Sequence, residues 1–294
     1  STLSWIDLTG KRTPVRELKE AWNALALAPD GTRVVIDRIA GPGQQPELWI
    51  LDLARGHEAR LTINQIPEIA PVWTPDGTRV VFGAAAGGPP NLFWQPADGS
   101  APAERLATST SVQIPWSWHP DRRRLVFSQG DGKLDLFVMT FPERTITPLV
   151  QSPASEGHAA ISPDGRWLAY TSDETDQFEI YVRPFPSGTG RWVVSSGTGV
   201  WPIWSHTGNV LYYATMGGRL MAVKYEARDG VFQAGRPEPL PGGQMAARGA
   251  LYSWALHPDG RRFLGTVPDP TAAAAKQEVV LMTGFTNDLR ARVK

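Results

Sequence analysis

Ala28-Pro29-Asp30-Gly31 returns as Thr74-Pro75-Asp76-Gly77, His119-Pro120-Asp121, Ser162-Pro163-Asp164-Gly165, the degenerate Ser205-His206-Thr207-Gly208 and His257-Pro258-Asp259-Gly260. The third positions (30, 76, 121, 164, 207 and 259) lie 46, 45, 43, 43 and 52 residues apart. Proline presets φ, aspartate bonds its own backbone and glycine accepts positive φ, so each copy is a tight turn. An apolar strand follows every turn: Val34-Val35-Ile36, Val80-Val81-Phe82, Leu125-Val126-Phe127, Leu168-Ala169-Tyr170, Leu211-Tyr212-Tyr213 and Phe263-Leu264. Three residues before each third position sits a large apolar residue: Leu27, Trp73, Trp118, Ile161, Trp204 or Leu256.

A third strand recurs as Glu47-Leu48-Trp49-Ile50, Asn91-Leu92-Phe93-Trp94, Asp135-Leu136-Phe137-Val138, Glu179-Ile180-Tyr181-Val182, Arg219-Leu220-Met221-Ala222 and Glu278-Val279-Val280-Leu281. A weaker fourth follows most of them, as in Arg191-Trp192-Val193-Val194. A unit of this size cannot bury a core alone, so it must stack on its copies. The pattern predicts an all-β fold, a six-bladed β-propeller of four-stranded antiparallel blades. The whole of 1–294 reads as one propeller domain, with blades at roughly 17–62, 66–107, 111–150, 156–195, 199–240 and 249–285 plus 1–15. Thr2-Leu3-Ser4-Trp5-Ile6-Asp7-Leu8 repeats the third-strand text without a turn before it, so the N-terminal segment is expected to close the last blade.

Composition agrees with a turn-rich β protein. Among 294 residues there are 29 Gly, 26 Pro and 12 Trp, and 41% are hydrophobic. The 29 basic residues balance 29 acidic ones, without the surplus or stripe that nucleic acid requires. No apolar run approaches the roughly 18 residues of a membrane helix. The absence of cysteine excludes disulfide, thiolate-metal and cysteine-nucleophile chemistry. The chain opens on Ser1 with no signal-peptide pattern, as a mature protein or an excised domain would.

The stretch from Ile161 through Ser162-Pro163-Asp164-Gly165-Arg166-Trp167 to Ser172, with Glu179-Ile180-Tyr181-Val182-Arg183-Pro184-Phe185-Pro186, resembles the TolB-like, WD-type propeller repeats of bacteria. It is especially similar to the propellers found C-terminal to bacterial serine/threonine protein kinases. That resemblance implies an extracytoplasmic sensor, periplasmic or at the cell surface. The chain itself carries no glycine-rich nucleotide loop and no His-Arg-Asp segment. The repeats also resemble the substrate-filtering propellers of prolyl oligopeptidase-like peptidases, whose Gly-X-Ser-X-Gly elbow is missing here.

Propellers bind most often at one mouth of the central channel. The loops leading from a fourth strand into the next first strand carry Glu20, Trp22, Asn23, Glu68, Gln113, Trp116, Glu156, His158, Trp201, Arg248 and Tyr252. Stacking surfaces, carboxylates and an imidazole in a ring suit a small polar ligand or a protein segment; the plainer alternative is channel lining. His158, two residues from Glu156, reads as a solvated loop histidine unless that carboxylate holds it charged. The repeated aspartates are explained by their turns. Asp173, Glu174, Asp176 and Glu179 read as a solvated acidic loop rather than a calcium site. No metal-ligand spacing appears, so no metal and no cofactor is expected. The function read here is non-catalytic ligand or protein binding by a monomer, with no nucleic acid and no membrane insertion by this chain. The alternative is a lyase or hydrolase using Glu68, Glu156 and His158.

Overall fold

A computed structural model of the chain describes residues 2–18, 20–39, 41, 44–63, 66–228, 230–245 and 253–266. Strands β1 (Thr2–Asp7) and β2 (Arg12–Glu17) open the chain. The first blade follows as β3 (Ala21–Leu27), β4 (Arg33–Ile39), β5 (Glu47–Asp52) and β6 (Glu58–Arg60). The second is β7 (Glu68–Trp73), β8 (Arg79–Ala84), β9 (Asn91–Pro96) and β10 (Glu104–Arg105). The third is β11 (Val112–Trp118), β12 (Arg124–Gly130), β13 (Asp135–Thr140) and β14 (Thr145–Val150). The fourth is β15 (Glu156–Ile161), β16 (Trp167–Ser172), β17 (Glu179–Pro184) and β18 (Trp192–Val193). The fifth holds β19 (Val200–Trp204), β20 (Val210–Ala214), β21 (Arg219–Arg228), β22 (Val231–Ala234) and β23 (Glu238–Gln244), the last two both pairing with the long β21. The sixth begins with β24 (Trp254–Leu256) and β25 (Arg262–Thr266).

These strands make six antiparallel sheets, the six-bladed propeller that the repeat predicts. The sixth has the order β2-β1-β25-β24. Leu3 stands opposite Thr266 and Asp7 opposite Arg262, so the chain's beginning completes its last blade. One part of the expectation changes. The third-strand place beside β25 is filled by β1 and the fourth by β2; Glu278-Val279-Val280-Leu281, read as a third strand in the sequence, lies outside the described residues.

The core is divided among the six seams between blades. Val35 and Leu48 of the first blade pack on Trp73, Val80 and Phe82 of the second. Val81 and Leu92 meet Leu125 and Phe127, and Val126 and Leu136 meet Leu168 and Tyr170. Ala169 and Ile180 meet Leu211 and Tyr213, and Tyr212 and Leu220 meet Trp254 and Phe263. Leu3 and Leu264 close the circle on Leu25 and Val34. Middle strands are therefore covered on both faces; β16 is buried along its whole length and β8 from Val80 to Ala84.

The inner strands do not run straight. Their pairing slips at Trp22/Leu25, Ile69/Val72, Pro115/Ser117, Gly157/Ala160 and Val200/Ile203. Such a bulge bends a strand and re-aims its side chains. Ala70, His158 and Trp201 adopt left-handed φ values of 53°, 47° and 56° to make it.

Candidate functional site

The central channel widens into a cavity of about 590 Å³ at the end bearing the Pro-Asp-Gly turns. All six inner strands contribute, through residues 25–27, 71–73, 116–118, 159–161, 202–204 and 254–256, and Pro29, Pro75, Pro120, Pro163 and Pro258 form the rim. One register position repeats around it. Ala26, Val72, Ser117, Ala160, Ile203 and Ala255 each lie four residues before the third position of their turn. All six line the cavity, and all six are half-buried. None is charged and Ser117 alone of the six is polar, so the wall at this register is a mostly apolar funnel below a collar that includes Trp73, Trp118 and Trp204. Trp73 and Trp204 are tied across their seams by indole N–H bonds of 2.9 Å to the Ala26 and Ala160 carbonyls.

This funnel lies at the opposite end from the polar mouth read in the sequence. Of the described members of the expected set, only Trp116 lines it. Glu68 and Glu156 open β7 and β15, Gln113 is the second residue of β11, and all three are buried. Their backbone N–H groups reach back to the preceding blade, onto the carbonyls of Pro46, Pro90 and Leu134 at 3.2, 2.7 and 2.7 Å. Their side chains follow. The Thr62 hydroxyl donates to Glu68, and Leu48 N–H donates to that hydroxyl at 3.0 Å. The Gln113 carbonyl accepts from Leu92 N–H at 3.2 Å while its amide donates to Gln129 at 2.8 Å. The Ser152 hydroxyl donates to Glu156. These groups act as seam pins. Burial lifts the Glu68 carboxyl to about 7 and raises Glu156 as well.

Three expected residues do come together. The His158 ring stands edge-on between Trp116 and Trp201, with centroids 5.0 and 5.8 Å away, so the third, fourth and fifth blades share one aromatic stack. His158 Nδ1 lies 3.3 Å from the Thr171 hydroxyl, and Trp116 donates its indole N–H to Ser128 at 2.6 Å. Glu20 pairs with Arg38 at 3.0 Å. Trp22 is buried at the seam that closes the ring, and Asn23 gives its backbone N–H to Asp37 at 2.6 Å. Arg248 and Tyr252 lie outside the described residues.

Asp37 was not singled out in the sequence. It is fully buried, and its Oδ1 accepts from Asn23 N–H and Ala24 N–H, both at 2.6 Å, satisfying the bulge of β3. Burial pushes its carboxyl up to about 7. The corresponding positions in the other five blades are Gly83, Ser128, Thr171, Ala214 and Thr266, so no sequence repeat marks it. Among the described residues, no three His, Asp or Glu side chains gather as a metal site, and no helix is long and apolar enough to cross a membrane. The acidic loop is spent on local bonds: Asp173 accepts from Ser155 N–H at 2.7 Å, and Glu174 pairs with Arg191.

The class defined by this geometry is a six-bladed β-propeller with an open apolar channel mouth. Comparison with known proteins gives it a closer description. A protein of Agrobacterium tumefaciens assigned as TolB superposes with a TM-score of 0.75 at 17% identity, covering 90% of this chain and 96% of that one. TolB from Acinetobacter baumannii gives 0.62 at 15% identity, covering 90% of this chain and 62% of that one. The Tol-Pal system protein TolB of Francisella tularensis is 25% identical over 171 residues, 57% of this chain. The chain spans 39% of that relative's length. No family model matches. The chain is a TolB-like six-bladed β-propeller in fold.

Proposed function

We propose that the chain is a non-catalytic binding propeller that seats a segment of a protein partner in the apolar funnel. The observation that carries this reading is the funnel itself, about 590 Å³, walled at one register by uncharged side chains from all six blades. A preformed, concave, mostly apolar site with few polar groups is what binding surfaces share. The TolB-like fold supports a protein partner rather than a turnover reaction, and favours an extracytoplasmic address. Service as the sensor of a receptor kinase is a narrower form of the same proposal, supported by sequence resemblance alone. A monomer suits a ring whose seams are all internal.

The polar mouth at the other end is the competing location for a small ligand. An enzyme there would need acid and base groups converging at about 3 Å from one reacting atom. Glu68 and Glu156 sit in different seams, each bonded to a hydroxyl of its own blade boundary, which favours binding over catalysis.

Selection of peptides from a random display library against the full chain tests the proposal. Val72→Arg and Ala255→Arg place a charge in the funnel wall on two blades. Retained peptides should lose at least tenfold in affinity for either variant, while both variants keep the wild-type melting temperature. Peptides indifferent to both substitutions would refute the funnel as the site.

A further inference from the structure

On the turn face the first, third and fourth seams are tied by side-chain hydrogen bonds from one blade to the next, and the second lacks them. Across the first seam Arg33 donates to the Gly77 carbonyl at 3.0 Å, and Trp73 donates to Ala26. Across the third, His119 Nε2 sits 3.1 Å from the Gly165 carbonyl. A Cβ on Gly165 would come within 2.4 Å of that ring, so glycine is required there.

At the second seam, between the second and third blades, these ties are missing. The turn glycine is replaced by Arg122, which holds the left-handed conformation at φ 63°. Five sister turns put glycine at this place. A non-glycine residue there costs about 1 kcal/mol or more, and such an outlier points to a use for its side chain. Arg79, the counterpart of Arg33, does not reach across; it stacks on Trp94, 4.1 Å from the ring centroid. Trp118, the counterpart of Trp73 and Trp204, leaves its buried indole nitrogen without a hydrogen-bond partner.

The seam stands open as a groove of about 510 Å³, floored by Trp94, Trp118 and Phe141 and edged by Arg79, Arg122 and Arg144, with one carboxylate, Asp76, whose Oδ1 is taken by Thr74 and Thr78 of its own turn. Arg144 is committed to Glu104. The guanidinium groups of Arg79 and Arg122 make no hydrogen bond or ion pair with any described residue. The groove adjoins the funnel: Pro75 and Trp118 line both.

We infer that this groove is a carboxylate seat, and that the partner segment carries an Asp or Glu side chain over Arg122 and Arg79 while its apolar residues enter the funnel. This rests on the funnel reading and adds the partner's chemistry to it. Two unpaired guanidiniums above an aromatic floor complement one acidic side chain flanked by apolar ones, and charge-assisted hydrogen bonds reward the match.

The same display library decides the matter. Peptides retained by the full chain should be enriched in Asp or Glu next to aromatic or aliphatic residues. For a synthetic copy of such a peptide, Arg122→Gly should lower affinity about tenfold. The peptide's own Asn or Gln version should bind wild type and Arg122→Gly equally. Funnel-dependent peptides with no acidic preference, or an affinity unmoved by Arg122→Gly, would overturn the seat and leave the funnel reading standing. Acidic peptides that need Arg122 but ignore Val72→Arg and Ala255→Arg would overturn the funnel and keep the seat. Recovery of no peptide would overturn both.

Discussion

The Arg262 guanidinium lies over the Trp5 ring, 4.2 Å from its centroid, joining the chain's first strand to its last described one. His257 meets the same ring edge-on at 5.3 Å. The first and last described strands therefore share one blade, and the ring's integrity depends on its first residues.

Leu3 tests this dependence. It is fully buried among Trp22, Leu25, Val34 and Leu264. Leu3→Ala removes apolar burial and leaves a cavity, at a cost of about 2–5 kcal/mol. Urea unfolding followed by tryptophan fluorescence should show one transition, shifted to lower urea with its slope kept. A wild-type midpoint would mean that β1 is an ornament.

Acid stability has two windows. The buried carboxyls of Asp37 and Glu68 keep their protons up to about pH 7 in the folded chain, whereas unfolded carboxyls lose theirs near pH 4. Between those values the folded state binds more protons, so stability falls as pH rises toward 7 and then levels off. The turn aspartates act lower. Burial opposes their charge, yet hydrogen bonds from Thr32 to Asp30 and from Ser162 and then Arg166 to Asp164 hold both below the usual range, so their contribution is lost only as pH falls below about 4. Urea midpoints at pH 5, 6 and 7.5 should decline, and Asp37→Asn with Glu68→Gln should flatten the decline. A decline unchanged in that double variant would contradict the assignment.

Two turn substitutions should move oppositely. Gly165→Ala meets the His119 ring and forces φ 73° on an L-residue, costing about 1–3 kcal/mol. Arg122→Gly relieves a φ of 63°, offset by the entropy glycine adds to the unfolded chain, so stability should stay within about 0.5 kcal/mol of wild type or rise. Thermal melts of the two variants check both directions. A large loss in Arg122→Gly would assign that arginine to structure rather than binding.

The blades were legible because turn chemistry is local: Pro29-Asp30-Gly31 and its copies name their own backbone geometry, and the strands after them alternate with it. Closure was legible in part. Thr2 to Leu8 repeats the third-strand text, while Arg12–Glu17, with its exposed polar faces, gave no sign of being the fourth strand. The channel's open end was not read. Which way an inner-strand side chain points depends on the bulge at Ala70, His158 and Trp201, and these three residue types share no preference for positive φ. Glu68 and Glu156 look like ligand groups in the sequence, yet the bulge turns them into the seams. The funnel did leave a signal, in the uncharged residues four before each turn position, from Ala26 to Ala255.

Hydrogen–deuterium exchange of the full chain, with and without a selected peptide, tests the central claim most directly. Binding in the funnel predicts slower exchange in the second halves of β3, β7, β11, β15 and β19 and at the turns around Gly31, Gly77 and Gly165. Protection confined to the strand beginnings around Asn23, Glu68, Gln113 and Glu156, with the turn end unchanged, would contradict it.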